Sequence, residues 1–266
     1  MQNLQFRAIF ISDIHLGTRD AQASHLLDFL NHTESEYLYL LGDVVDFWKA
    51  KSGWYWPAQH TEVLQALLRK ARRGTRVIYV PGNHDEWLRD HARSEFNGIE
   101  LRLGAVHHTA DGRRFLLLHG DEFDSAVRCN RVLNLLGSSA YDVLLWLNRI
   151  HHQVRRRLGF SYWSLSSWIK SRIKNAAAYV QRFEQAALRE AERHGVNGVI
   201  CGHIHQPAMR YGAGLCYANT GDWVEHCSAL AEDHEGRLHL IHWAEDSLHW
   251  LQGREVPAMT PDAAAA

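Results

Sequence analysis

Five short blocks of this chain carry side chains that bind cations: Asp13-Ile14-His15, Gly42-Asp43, Gly82-Asn83-His84-Asp85, His119-Gly120-Asp121 and Gly202-His203-Ile204-His205. Aspartate and histidine supply oxygen and nitrogen donors; an Asn amide oxygen is a weak, hard ligand that serves where stronger ones share the load. No block is selective alone. A Gly-Asn pair marks a turn more often than a metal site, Asp13 and Asp43 would also cap the segments that follow them, and a lone buried His is more often a satisfied core residue. Number and order set them apart. Two divalent ions about 3.5 to 4 Å apart need a carboxylate between them and neutral imidazoles to complete each shell without accumulating negative charge. Asp43 is the natural bridge, with Asp13, His15 and His205 completing one ion and Asn83, His119 and His203 the other. Oxygen-and-nitrogen shells without thiolate suit Mn, Fe or Zn better than Ca, and the choice among those three stays open.

The blocks share one grammar. Ala8–Ile11 runs into Asp13, Tyr37–Leu41 into Asp43, Arg76–Pro81 into Asn83, Arg114–Leu118 into His119 and Gly198–Cys201 into His203. Each apolar run has strand length, so the donors fall on loops at the carboxyl ends of buried strands, where open α/β sheets build their sites. In a parallel sheet such ends converge on one rim. Residues i and i+2 of extended backbone face the same way, which pairs Asp13 with His15 and His203 with His205. Between the strands, Ala21 to Asn31 reads as a helix with Leu26, Leu27 and Leu30 at core spacing. Pro57 to Arg73 reads as another, with Val63, Leu64, Leu67 and Leu68 inward, basic residues near its end and Gly74 closing it. This β-α-β rhythm implies a largely parallel core. Asp46 reads as a supporting or capping residue.

At 266 residues the chain is long enough for one large domain, or one domain with an insertion. Its 46% hydrophobic and 22% charged residues exclude general disorder, and a formal net charge of -1 excludes global attraction to nucleic acid or anionic lipid. Any polyanion must therefore be met by a local patch. Nineteen histidines are compatible with a metal site without locating it. Four cysteines form no C-x-x-C pair, which points to reduced thiols in a cytoplasmic protein. Met1 to Phe6 lacks the charge-then-apolar pattern of an export signal, and no run approaches about 18 apolar residues. The expectation is a protein neither exported nor membrane-spanning.

Taken together, the five blocks resemble the motifs of the calcineurin-like metallophosphoesterases, in order, over residues 6 to 206. The resemblance implies an α/β fold, a two-sheet αββα sandwich flanked by helices with a dinuclear site between the sheets, and it supports the ligand set above. It also implies phosphoester hydrolysis, the cations acidifying the attacking water and neutralising phosphoryl oxygens. His84 would protonate or stabilise the leaving group, and Asp85 would orient His84. In such a fold, Gly214–Ala218 followed by alternating runs at Cys227–Glu232 and Leu238–Trp243, with Glu235-Gly236 at the turn, reads as the closing antiparallel meander of the second sheet.

Residues 1–252 read as a single metallophosphoesterase domain, with a helical cap inserted at about 122–180 and a loose tail over 253–266. Within the insertion, Tyr141 to Arg157 is helical and ends in three arginines. A second stretch, Tyr162 to Lys174, interleaves aromatic residues with Lys and Arg. This is the basic patch that the net charge conceals, suited to a lipid-water boundary or to a greasy phosphate ligand; it reads equally as a cap with solvated charges. The cap, Asp13-Ile-His-Leu and Gly42-Asp-Val-Val-Asp46-Phe-Trp48 are similar to the UDP-2,3-diacylglucosamine pyrophosphatase branch. That likeness implies a manganese-dependent enzyme, peripheral on the inner face of the inner membrane through its cap. It would split UDP-2,3-diacylglucosamine into UMP and 2,3-diacylglucosamine 1-phosphate in lipid A biosynthesis. Asn83, His84, Asp124, Lys174 and His203 would then meet the substrate. The best-known members of that branch carry Arg where this chain has His84, which restores the general phosphoesterase pattern, and Glu122-Phe123-Asp124 also departs from them. Two rival readings stay open: a phosphodiesterase acting on nucleotides or cyclic nucleotides, and a non-catalytic scaffold that kept the fold. The bases cluster on the cap instead of lining a groove, so no specific nucleic acid partner is expected. Oligomeric state is left open.

Overall fold

A computed structural model describes residues 3–50, 53–127 and 174–252. Most of the expected cap insertion, including Tyr141–Arg157 and Tyr162–Ile173, and the expected tail from 253 onward lie outside the described residues. The strands are β1 (Leu4–Ile11), β2 (Thr33–Leu41), β3 (Arg76–Val80), β4 (Glu95–Phe96), β5 (Ile99–Leu101), β6 (Ala105–His108), β7 (Arg114–Leu117), β8 (Gly198–Cys201), β9 (Ala208–Gly212), β10 (Leu215–Asn219), β11 (Ser228–Glu232) and β12 (Leu238–His242). The helices are α1 (Ala23–His32), α2 (Phe47–Ala50), α3 (Ala58–Arg72), α4 (Asp124–Val127), α5 (Lys174–Arg193) and α6 (Trp243–Leu251).

The strands form two sheets. One has seven strands in the order β12-β11-β1-β2-β3-β5-β4; the other has five, β6-β7-β8-β10-β9. Parallel pairing of β1, β2, β3 and β5 builds the centre of the first sheet, and β7, β8 and β10 run parallel in the second. The alternation along each strand decides what faces what. Phe10, Tyr39, Ile78 and Val80 of the first sheet meet Phe115, Leu117, Ile200 and Ala218 of the second in a buried middle layer. Ile9, Ile11, Leu38, Leu40 and Val77 point the other way, onto α1 and α3. On the far side Leu116, Val199 and Tyr217 receive Phe183, Ala187 and Ala191 of α5. The result is a helix-sheet-sheet-helix sandwich. Phe10 is fully buried and stacks on Tyr39 with ring centroids 5.0 Å apart, so Phe10→Ala would cost about 3–5 kcal/mol by opening a cavity in the middle layer.

Two expectations are corrected. The donor-bearing strand ends do not share one rim: β1, β2 and β3 belong to the larger sheet and β7 and β8 to the smaller, so the site gathers ends from two sheets. The β11–β12 hairpin does not close the second sheet either. It adds to the first, with β11 antiparallel to β1, while the β9–β10 hairpin completes the second. Alternation identifies a hairpin with one buried face but does not say which sheet edge is open to it.

Candidate metal centre

Two loops run side by side beyond β1 and β2. The N–H groups of Asp13, Ile14, His15 and Leu16 donate to the carbonyls of Gly42, Asp43, Asp43 and Val44, so the parallel register continues past the strands. Asp13, His15, Asp43, His203 and His205 all hold left-handed backbone, with φ from 52° to 70°. Non-glycine residues adopt that region rarely, and it concentrates where surrounding structure over-determines a functional geometry. Glycine permits the close approach at Gly82, where a Cβ would stand 2.7 Å from His119 Nε2 and 2.8 Å from the backbone nitrogen of Asp43.

The donors converge as follows. Asp13 is fully buried. Its Oδ2 accepts the His203 N–H at 2.9 Å and the Ser12 hydroxyl, whereas Oδ1 is buried without a hydrogen-bond partner. That orphan oxygen lies 3.3 Å from His205 Nε2 and 4.0 Å from His15 Nε2, and the two imidazole nitrogens lie 3.3 Å from each other. A buried carboxylate oxygen facing two ring nitrogens is what a cation would complete, so these residues fit a metal ion. Asp43 stands beside this group: its Oδ1 accepts the His84 N–H at 2.9 Å, and its Oδ2 lies 3.8 Å from His15 Nε2 and 3.5 Å from His119 Nε2. His119 Nδ1–H donates to the Leu41 carbonyl at 2.7 Å, which leaves Nε2 as the ring's ligand atom, 3.3 Å from the Asn83 amide oxygen. His203 Nε2 meets Asp124 at 3.0 Å, so an ion at this histidine falls to Nδ1; its ring lies 5.1 Å from that of His119.

The charge state of the protein without cations mirrors this arrangement. Burial would push the His15 imidazole down, but the hydrogen bond with Asp46 and the charges of Asp43 and Asp13 outweigh it and lift the ring to about 9. His119 is held well above its ordinary value against burial by Asp43 and Asp13. Burial likewise opposes ionisation of Asp43, yet His119, His15 and His84 hold it below the usual carboxylate range. Protons stand where cations would otherwise neutralise the carboxylates.

The remaining residues divide differently from the expectation. His84 lies at the rim, with Nε2 4.0 Å from Asp43 Oδ2 and Nδ1 3.0 Å from Asp46 Oδ2. The second approach is close enough for an ion pair but lies off the ring's hydrogen-bonding direction, since Nδ1 has no directed partner. Asp85 does not orient His84: its carboxylate accepts the N–H groups of Gly82 and Val44 and the Tyr79 hydroxyl, and thereby ties the Asn83 loop to the Asp43 loop. The residue following an imidazole in sequence points into the turn, and the carboxylate behind the ring comes from another strand end. Asp121 is likewise a strut, held by Arg89 at 2.7 Å. Asp124 does reach the centre, through His203. Lys174 opens α5, and its side chain lies outside what is described.

Asp46 supports the site as the sequence suggested, whereas Asp222 escaped the sequence reading. Asp46 contacts both His15 and His84, and the adjacent Trp48 lays its ring 4.2 Å from that of His84. Asp222, on the loop after β10, is fully buried; it accepts three backbone N–H groups, pairs with His226 at 2.6 Å and places Oδ2 3.6 Å from His205 Nδ1. The signal was present, because Asn219-Thr220-Gly221-Asp222 repeats the strand-then-polar grammar of the ligand blocks.

A buried pair of carboxylates, an amide oxygen and four imidazoles meet at the strand ends of a two-sheet sandwich, and groups among them are placed so that they could hold metal ions. The chain belongs to the calcineurin-like phosphoesterase family, whose model matches residues 6–207. It is a phosphoester hydrolase of a family that uses divalent metals. Among its relatives is a UDP-2,3-diacylglucosamine hydrolase of Edwardsiella ictaluri, 30% identical over 258 residues, covering 90% of this chain and 95% of that one. Others so named, from Azotobacter vinelandii and Nitrosococcus oceani, are 30% and 27% identical and cover 76% and 85% of this chain and 82% and 91% of theirs.

Proposed function

We propose that this protein hydrolyses the diphosphate of UDP-2,3-diacylglucosamine to UMP and 2,3-diacylglucosamine 1-phosphate, using two divalent cations, most suitably Mn2+. The observation that carries the hydrolytic part is the position of Asp43 Oδ2 between His15 Nε2 and His119 Nε2, at 3.8 and 3.5 Å, where one carboxylate can serve two ions. Asp13, His15, Asp43 and His205 would hold one, and Asp43, Asn83, His119 and His203 the other. When bound, the cations supply an acidified water and Lewis-acid neutralisation of the phosphoryl oxygens. His84 reaches the reacting phosphate from the rim and gives a proton to the departing sugar-phosphate oxygen, with Asp46 stabilising the imidazolium. Asp124 keeps His203 in one tautomer, which is the way a carboxylate supports a ligating histidine.

The lipid substrate is supported by the names of the relatives, similar along most of their length. A cytoplasmic, membrane-peripheral placement through the inserted cap follows from that substrate, and no described helix is long and apolar enough to cross a membrane. His84 favours a second reading, a phosphodiesterase acting on nucleotides, because a proton donor at the rim suits many phosphoesters. Purified protein loaded with manganese and offered UDP-2,3-diacylglucosamine, a cyclic dinucleotide and a bis-aryl phosphate separates the two. UMP release from the first at a kcat/KM well above the others supports the lipid reading; turnover of the others alone contradicts it.

A further inference from the structure

A cavity of about 140 Å3 lies between the two sheets, walled by β1, β2 and β3 of the larger and β6 of the smaller. It is remote from the metal centre. Arg76, in its wall, opens β3, and Asn83 follows the other end of that strand, so a strand length of about 13 Å separates the two places. Three guanidiniums line the cavity: those of Arg7, Arg76 and Arg102. Tyr39 and His107, 4% and 2% exposed, stand behind them and hydrogen-bond to each other at 3.0 Å across the sheets. Burial pushes the Tyr39 hydroxyl up, and the charges of Arg76, Arg102 and Arg7 all pull the other way, so the three converge on one point. Among the described residues no carboxylate lines the cavity.

The acids that pair with these arginines stand outside the cavity and are outnumbered. Glu100 accepts from Nε and Nη2 of Arg76, at 2.6 and 3.3 Å, and from Nη2 of Arg102; the fully buried Glu232 accepts from Nη1 of Arg7 at 3.0 Å and meets His107 Nε2 at 2.6 Å. Three arginines against two glutamates leave one positive charge in excess. A guanidinium carries five N–H donors. Among the described residues Arg7 makes its hydrogen bonds through Nη1 alone and Arg102 through Nη2 alone, so each keeps donors for a further acceptor. Planar guanidinium forks match the oxygens of phosphate. The volume is well below the roughly 300 Å3 at which drug-sized ligands begin to fit, and at about 30 Å3 per water it has room for one small oxyanion and its hydration. We propose that this cavity binds a phosphate dianion, free or as the end of a phosphomonoester, between Arg7, Arg76 and Arg102. The inference is independent of the substrate reading and uses no residue of the metal centre.

Inorganic phosphate is titrated calorimetrically into the full-length protein, once loaded with manganese and once treated with chelator. One phosphate per chain should bind in both preparations, because the cavity needs no cation. Arg76→Gln and Arg102→Gln alter half-exposed side chains, and each should weaken that step about tenfold or more; either serves if the other fails to fold. Glu100→Gln removes the acid that competes for both guanidiniums and should tighten it about two- to fivefold, a gain that purely structural ion pairs would not give. Arg210→Gln, on β9 and paired with Glu184 at 3.1 Å, should bind as the unaltered protein does. Glycerol 3-phosphate competing for the same step identifies the source: displacement at tenfold lower concentration assigns a phosphomonoester, and weaker competition assigns the free ion. A phosphate step seen only with manganese present would belong to the metal centre and overturn the inference. So would no binding in either preparation, or equal affinity in the folded Arg76→Gln and Arg102→Gln proteins.

Discussion

Asp46 Oδ2 lies 3.0 Å from Nδ1 of His84, although the two residues leave different strands. The same oxygen lies 3.2 Å from Nδ1 of the ligand His15, so one carboxylate serves the proton donor and the metal shell. Burial opposes its ionisation, but the hydrogen bond with His15 and the charges of His15 and His84 hold it well below the usual carboxylate range. Asp46→Asn keeps the shape and removes the charge. It should lower kcat by about 10- to 100-fold, because the carboxylate that stands against both the ligand His15 and the rim residue His84 loses its charge. An unchanged kcat would contradict this role for Asp46.

Asp222 leads to a different outcome. Its three backbone N–H bonds can be kept by the carbonyl oxygen of an Asn, while the negative charge 3.6 Å from His205 Nδ1 is lost. Asp222→Asn should therefore fold and lose metal affinity by about 10- to 100-fold, chiefly at the ion held by Asp13, His15 and His205. Calorimetric titration with Mn2+ would read this as one weakened step of two.

Much of the centre was legible because each ligand follows an apolar, strand-length run, and a strand end is a place that sequence can mark. The support structure was harder to read. Asp85 adjoins His84 in sequence but turns into the loop to bind Val44 and Gly82, and its place behind the imidazole is taken by Asp46, brought there by the parallel alignment of the loops after β1, β2 and β3. Asp222 depends on the last loop of the second sheet folding back onto Asp13, through the Trp223 N–H to the Asp13 carbonyl at 3.0 Å, a contact between the ends of the chain that no local pattern announces. The fold class was visible in the β-α-β rhythm; the division of strands between two sheets was not, because Phe10 and Phe115 carry the same apolar signal whichever sheet they belong to.

The raised imidazoles give a pH dependence with a definite sign. In protein stripped of metal, His15 titrates at about 9 against 6.5 for a free imidazole, so its charged pairs stabilise the fold fully below pH 6.5. That contribution is lost as pH rises through 9, and His119 acts in the same direction. Thermal melts of chelator-treated protein should fall in Tm from pH 7 to 9. Because the ligands must lose those protons, Mn2+ binding at pH 7.5 should release protons, measured as a buffer-dependent calorimetric heat. A Tm that rises over this range would contradict the assignment.

Gly82→Ala tests the close packing around Asp43. A Cβ there would stand 2.7 Å from His119 Nε2, so the ring must leave its position beside Asp43. The variant should lose about 1–3 kcal/mol of stability and most of its metal, read together by denaturant melt and metal analysis.

The account rests on Asp43 joining two cations. Electron paramagnetic resonance of the manganese-loaded protein measures this directly: the account predicts two ions per chain, spin-coupled at about 3.5 to 4 Å, with the coupling lost in Asp43→Ala. A single ion, or two uncoupled ions in the unaltered protein, would contradict it.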